Sequence, residues 1–92
     1  MPKLDDDALH EGLAALPGWQ REGDVIARTY RHASFRAAVA FVAYVAEVAE
    51  ALGHHPDVDI RYDRVRLAVT THDAGGLTEK DLELARRVDA RE

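Results

Sequence analysis

The tightest constraint on this chain is one unbroken apolar run, Ala37 to Ala46, set inside a segment bounded by Ser34 and Gly53. Ser34 is suited to an N-cap, and Gly53 can take the left-handed conformation that closes a helix, so the spacing predicts one long helix from Phe35 to Leu52. The run has roughly half of the ~20 residues that a membrane span requires. A helix that is apolar on nearly every face through its first three turns must be buried on more than one side. A chain of 92 residues fits one domain, 1–92, with a thin core, because a domain of this size buries only about two-thirds of its unfolded surface. The second side of the helix is therefore expected to meet another subunit.

The flanking segments set the fold class. Asp5-Asp6-Asp7 places carboxylates where a helix N-terminus favours negative charge, Leu9, Leu13 and Leu16 recur at helical spacing, and Pro17-Gly18 ends that first helix. Residues Trp19 to Arg21 and Val25 to Arg31 read as two short strands around Glu22-Gly23-Asp24, a hairpin with a bulge. Val58, Ile60 and Tyr62 alternate with Asp57, Asp59 and Arg61, and Val65, Leu67 and Val69 alternate with Arg64, Arg66 and Ala68. Period two predicts two half-buried strands, joined at Asp63-Arg64. Gly75-Gly76 interrupts the chain. Thr78-Glu79-Lys80-Asp81 then has the form of a capping box with Asp in place of Glu, and Leu82, Ala85 and Val88 continue as the last helix. The order α-β-β-α-β-β-α predicts an α+β fold: a four-stranded antiparallel sheet with three helices packed on one face. The other face carries Arg61, Arg64 and Arg66 or meets a subunit.

Composition excludes several functions. The hydrophobic fraction of 47% and a charged fraction of 32% describe a globular chain. A net charge of −5 argues against nucleic acid as a partner. With no cysteine there is no disulfide, thiol nucleophile or thiolate metal site. The N-terminus lacks the basic and apolar regions of a secretory signal, so a cytoplasmic protein without membrane contact is expected.

The chemistry-bearing residues cluster after the long helix. His54-His55-Pro56 follows its stop, with Glu50 one turn before His54, and Pro56 biases His55 away from helical geometry. His72 follows the last strand, and a hairpin between the two regions would bring all three imidazoles to one end of the sheet. Histidines beside carboxylates suit general acid–base chemistry near neutral pH. Taken singly, these residues have plainer readings: each histidine as a capping or surface residue, Glu50 as a solvated helix residue, Asp81 as a cap, Tyr62 and Trp19 as core aromatics. Zinc is the competing chemistry. The adjacent His54 and His55 point in different directions and no helical His-x-x-x-His pair exists, which weighs against a metal. The single serine, Ser34, sits at a helix start, and no Gly-rich phosphate loop follows a strand.

The run Glu50-Ala51-Leu52-Gly53-His54-His55-Pro56 resembles the signature of the pterin-4a-carbinolamine dehydratases. The match extends at family spacing to an aromatic at Tyr62, a histidine at His72 and an aspartate at Asp81. The stretch from Thr71 to Asp81 and the Pro17-Gly18-Trp19 segment are also similar to the family, so the resemblance spans nearly the whole chain. It departs at Val58, where many members carry Trp, and at Gly53, where some carry a polar residue.

This resemblance implies a dehydratase that removes water from a 4a-hydroxytetrahydropterin, the product of aromatic amino acid hydroxylases, and returns a quinonoid dihydropterin. It implies no cofactor, the pterin being the substrate, and subunits assembled as dimers or tetramers. An aromatic amino acid hydroxylase is the expected partner enzyme. Of the site residues, His54 and His72 are expected to carry protons and His55 to orient the pterin. Glu50 is expected to support His54, and Asp81 to support His72, with Pro56 and Tyr62 completing the site. Two other readings stay open: a non-catalytic dimerisation module of the same fold, and an enzyme on another pterin related to molybdopterin.

Overall fold

The computed structural model describes residues 2–91. The elements are α1 (Asp6–Ala14), β1 (Gln20–Glu22), β2 (Val25–Arg31), α2 (Phe35–Leu52), β3 (Asp57–Arg61), β4 (Arg64–Val69) and α3 (Glu79–Asp89), with a short 3₁₀ turn at His72–Ala74. The fold is α+β in the expected order, and all strand pairings are antiparallel in the spatial order β1-β2-β4-β3. The helix α2 therefore carries the chain from β2 across to the β3–β4 hairpin, whose second strand inserts next to β2.

Caps fix the helix ends. Asp5 accepts the backbone N–H of Ala8 at 2.8 Å, and Ser34 accepts that of Ala37 at 3.1 Å. Gly53 closes α2 at φ 61°, the left-handed conformation that costs glycine least. At α3, the Thr78 hydroxyl accepts from Lys80 N and the Asp81 carboxylate accepts from Thr78 N, a reciprocal cap. On the outer face of α3, hydrogen bonds from Arg87 and then Arg86 hold the Glu83 carboxyl below its ordinary range.

The core lies between the sheet and the helices. Ile26, Tyr30, Val65, Leu67 and Val69 meet Phe41, Val45, Val48 and Ala49 of α2 and Leu82, Ala85 and Val88 of α3, all buried. Arg64 and Arg66 alternate with these β4 residues and stay exposed on the open face, which accounts for the period-two pattern. One carboxylate ties the far end of α3 to the sheet: Asp89 receives the Trp19 indole N–H, the Tyr30 hydroxyl and the Arg28 guanidinium.

Several expectations are corrected. The first helix ends at Ala14 rather than Leu16, because Leu16 N–H bonds to the Leu13 carbonyl in a tighter turn. The first strand begins at Gln20, since Trp19 N–H turns back to Leu16 O and leaves the ladder. The hairpin has no bulge: Glu22 pairs directly with Val25, and Gly23 takes the turn at φ 65°. The β3–β4 connection is Tyr62-Asp63 rather than Asp63-Arg64. Tyr62 is therefore a turn residue at φ 54° and 71% exposed, not the third inward residue of a strand. Val58 and Ile60 do face the helix side, opposite Leu67 and Val65, yet remain 40% and 36% exposed because β3 is the sheet edge. On α2, Phe35 and Val39 stay exposed within the chain.

Candidate functional site

The cleft forms where the end of α2, the end of β4 and the start of α3 converge. Gly53 reverses the chain after α2, and Pro56 delivers it into β3, so His54 and His55 occupy the intervening corner. The Thr71-His72 segment leaves β4 beside them, and Thr71 pairs with Gly76 in an isolated bridge that closes the intervening loop. The result is an open cleft of about 280 Å³ lined by His54, His55, Thr70, Thr71, His72, Asp73 and Lys80, with Gly53 at its rim.

His54 is the anchored imidazole. Its side chain is 12% exposed, and Nε2 lies 2.6 Å from Oδ1 of Asp81, which is fully buried. The other carboxylate oxygen of Asp81, Oδ2, accepts from the Thr71 hydroxyl and from Thr78 N, each at 2.8 Å. The Thr71 and Thr78 hydroxyls meet at 2.9 Å, and the Thr78 hydroxyl accepts Lys80 N–H at 3.2 Å. These bonds have one consistent direction. Lys80 N–H donates to Thr78, Thr78 donates to Thr71, and Thr71 donates to Asp81, which leaves Oδ1 to accept from His54. The Nε2 of His54 is thus assigned as the donor, and in the neutral ring the lone pair then lies on Nδ1.

His55 is differently held. Its Nε2 lies 2.6 Å from Oε2 of Glu50, with both side chains largely exposed. His72 is exposed at the start of the 3₁₀ turn. The pairings therefore differ from expectation: Asp81 supports His54 rather than His72, and Glu50 supports His55 rather than His54. The left-handed turn at Gly53 is the cause, because it takes His54 off the helical face of Glu50 and directs it towards α3. Tyr62 does not join the cleft. It sits just past the far end of β3, about 17 Å beyond Asp57 at ~3.4 Å per strand residue. Thr70, Thr71, Asp73, Thr78 and Lys80 are residues of the cleft and its network that sequence reasoning did not assign to the site. The polar Thr71, 9% exposed at the end of an apolar strand, is the one signal of its role.

Among the described residues, no group of three or more His, Asp or Glu side chains is arranged to hold a metal ion. No described helix is long and apolar enough to cross a membrane.

The profile of the family described as Pterin 4 alpha carbinolamine dehydratase matches residues 2–91. A protein of Chloroflexus aurantiacus, provisionally named pterin-4-alpha-carbinolamine dehydratase, is 61% identical over 89 residues, 97% of this chain and 96% of its own. The crystal structure of a transcriptional coactivator/pterin dehydratase from Brucella melitensis superposes with a TM-score of 0.91 at 37% identity, covering 96% of each chain. A pterin dehydratase-like protein described as a RuBisCO assembly factor in the alpha-carboxysome shares the fold, with a TM-score of 0.67 at 24% identity over 79% of this chain and 87% of its own.

Proposed function

This chain belongs to the pterin-4a-carbinolamine dehydratase family, and on that premise we propose that the histidine cleft removes water from a 4a-hydroxytetrahydropterin. The observation that carries the proposal is the buried Asp81 holding His54 at the cleft wall in one tautomer.

The reaction breaks the bond from C4a to the hydroxyl oxygen and the N5–H bond, and forms a C4a=N5 double bond. One proton is taken from N5 and one is delivered to the departing hydroxyl, so water is the only other product. His54, donating Nε2–H to Asp81, offers Nδ1 as the base for the N5 proton. As that proton arrives, Asp81 stabilises the imidazolium, since its Oδ1 already faces the ring. His72, exposed to solvent at the cleft, delivers the proton to the leaving hydroxyl. His55, held by Glu50, orients the pterin ring at the cleft mouth, and Pro56 fixes that corner. No metal or redox cofactor enters these steps. The quinonoid dihydropterin product is a form suited to reduction and return to an aromatic amino acid hydroxylase.

The test follows the ultraviolet absorbance of freshly generated 4a-hydroxytetrahydropterin with EDTA present throughout. Wild-type protein should accelerate its decay, and His54→Ala should lose about 10²–10⁴-fold of that acceleration while keeping its fold. A His54→Ala protein as fast as wild type would remove His54 from the mechanism. No acceleration by folded wild type would favour the binding-module reading or a different pterin.

A further inference from the structure

The open face of the sheet holds a feature that the histidine cleft does not use. The register sets Arg31 of β2 opposite Arg64 of β4, and Arg64 opposite Arg61 of β3, so three arginines form one row across three strands. The adjacent row is Thr29, Arg66 and Asp59. Like charges directly opposite across strands destabilise a sheet, and side chains in such positions have Cβ atoms only ~5 Å apart. Asp59 engages Arg61 and Glu22 engages Arg66, both exposed pairs of the weak surface kind. Among the described residues no carboxylate pairs with Arg31 or Arg64, although the chain has 17 acidic residues and a net charge of −5. Arg61, Arg64, Arg66, Thr29 and Asp59 together line a shallow depression of about 330 Å³. Three guanidiniums line it against Asp59, with Glu22 on Arg66, so net positive charge remains at Arg64, and the Thr29 hydroxyl stands beside it.

We propose that this depression, centred on Arg64, is an oxyanion site that takes a phosphate group. A phosphate monoester carries −1.5 to −2 charges near pH 7, and its oxygens accept from several planar guanidinium forks at once, which a row of arginines offers and a lysine row does not. The group comes either from free inorganic phosphate or from a phosphorylated small molecule. The site stands apart from the cleft, because Arg61 and Arg64 lie at the turn end of the β3–β4 hairpin and the histidines at its other end.

The experiment titrates the full chain with inorganic phosphate and, separately, with adenosine monophosphate as a representative monoester, at constant ionic strength held with sodium chloride. It reads arginine Nε–H resonances and the thermal midpoint. The expected result is saturable shifts of the Arg31, Arg61 and Arg64 side chains and a rise in midpoint, both weakened about tenfold or more in Arg64→Gln. His54→Ala should bind phosphate as wild type does, which separates this site from the cleft. In the absence of phosphate, Arg64→Gln should melt no lower than wild type, because it relieves repulsion along the row. Tighter binding of the monoester identifies a phosphorylated ligand, and equal binding identifies the free ion. Shifts that never saturate, or equal binding by Arg64→Gln, would overturn the proposal.

Discussion

Three donors converge on the carboxylate of Asp81, a side chain with no solvent exposure. Such a group is held in one orientation because each of its bonds, if broken, leaves a buried polar atom unpaired. Thr71 contributes through its hydroxyl, which accepts from Thr78 and donates to Asp81. Thr71→Val keeps the shape and removes both bonds, so stability should fall by about 1–3 kcal/mol in urea unfolding. The dehydratase reading adds a kinetic signature: turnover should fall with little change in KM, because the pterin contacts remain while His54 loses its fixed partner. Thr71→Ser should restore both properties, and a Thr71→Val protein as stable as wild type would show that the hydroxyl chain contributes nothing. Sequence reading identified His54 and Asp81 as site residues but did not join them. Spacing along α2 favoured Glu50 as the neighbour of His54, and the left-handed turn at Gly53 overrides that spacing.

At the scale of elements, the ends were more legible than the faces. Ser34, Gly53 and the Thr78-to-Asp81 box signal their caps through local hydrogen bonds and backbone freedom, and the structure uses all three. Gly53 matters beyond its helix, since it aims His54. A Cβ added there meets nothing within 4 Å, so Gly53→Ala carries the cost of the left-handed conformation alone, about 1–2 kcal/mol. A thermal melt should show that loss, and Gly53→Asn should lose less, because Asn tolerates this conformation better. An unchanged melt for Gly53→Ala would mean that the α2 end relaxes to a different turn. The strand bounds at Trp19 and Tyr62 were misread because β-propensity ignores where a ladder stops. Both aromatics have strand-like chemistry, yet Trp19 turns back to Leu16 and Tyr62 enters the hairpin turn.

For the whole molecule, the single chain leaves apolar surface that its own helices do not cover. Val58 and Ile60 lie on the helix side of the edge strand β3, and Phe35 and Val39 lie on the outer face of α2. An edge strand with apolar side chains is a template for pairing with another strand. We therefore expect a homo-oligomer, a dimer or tetramer, with β3 in its contact. Sedimentation should give a multiple of the 10.2 kDa chain mass, and Ile60→Lys should shift the population towards the single chain. A wild-type protein that sediments as one chain at all concentrations would remove this expectation.

The sequence by itself determined the order of elements, the caps, the α+β class and the three histidines that line the cleft. These follow from periodicity, from turn chemistry and from motif spacing, all of which act over a few residues. Tertiary structure alone decided which strand lies beside which, that Asp81 faces His54, that Thr71 joins the same network, and that three arginines stand in one row. Each of these joins groups far apart along the chain, through a register or a packing angle set by the core as a whole. Only the folded sheet makes Arg31 and Arg64 neighbours, because no local signal in either segment specifies the strand it will meet.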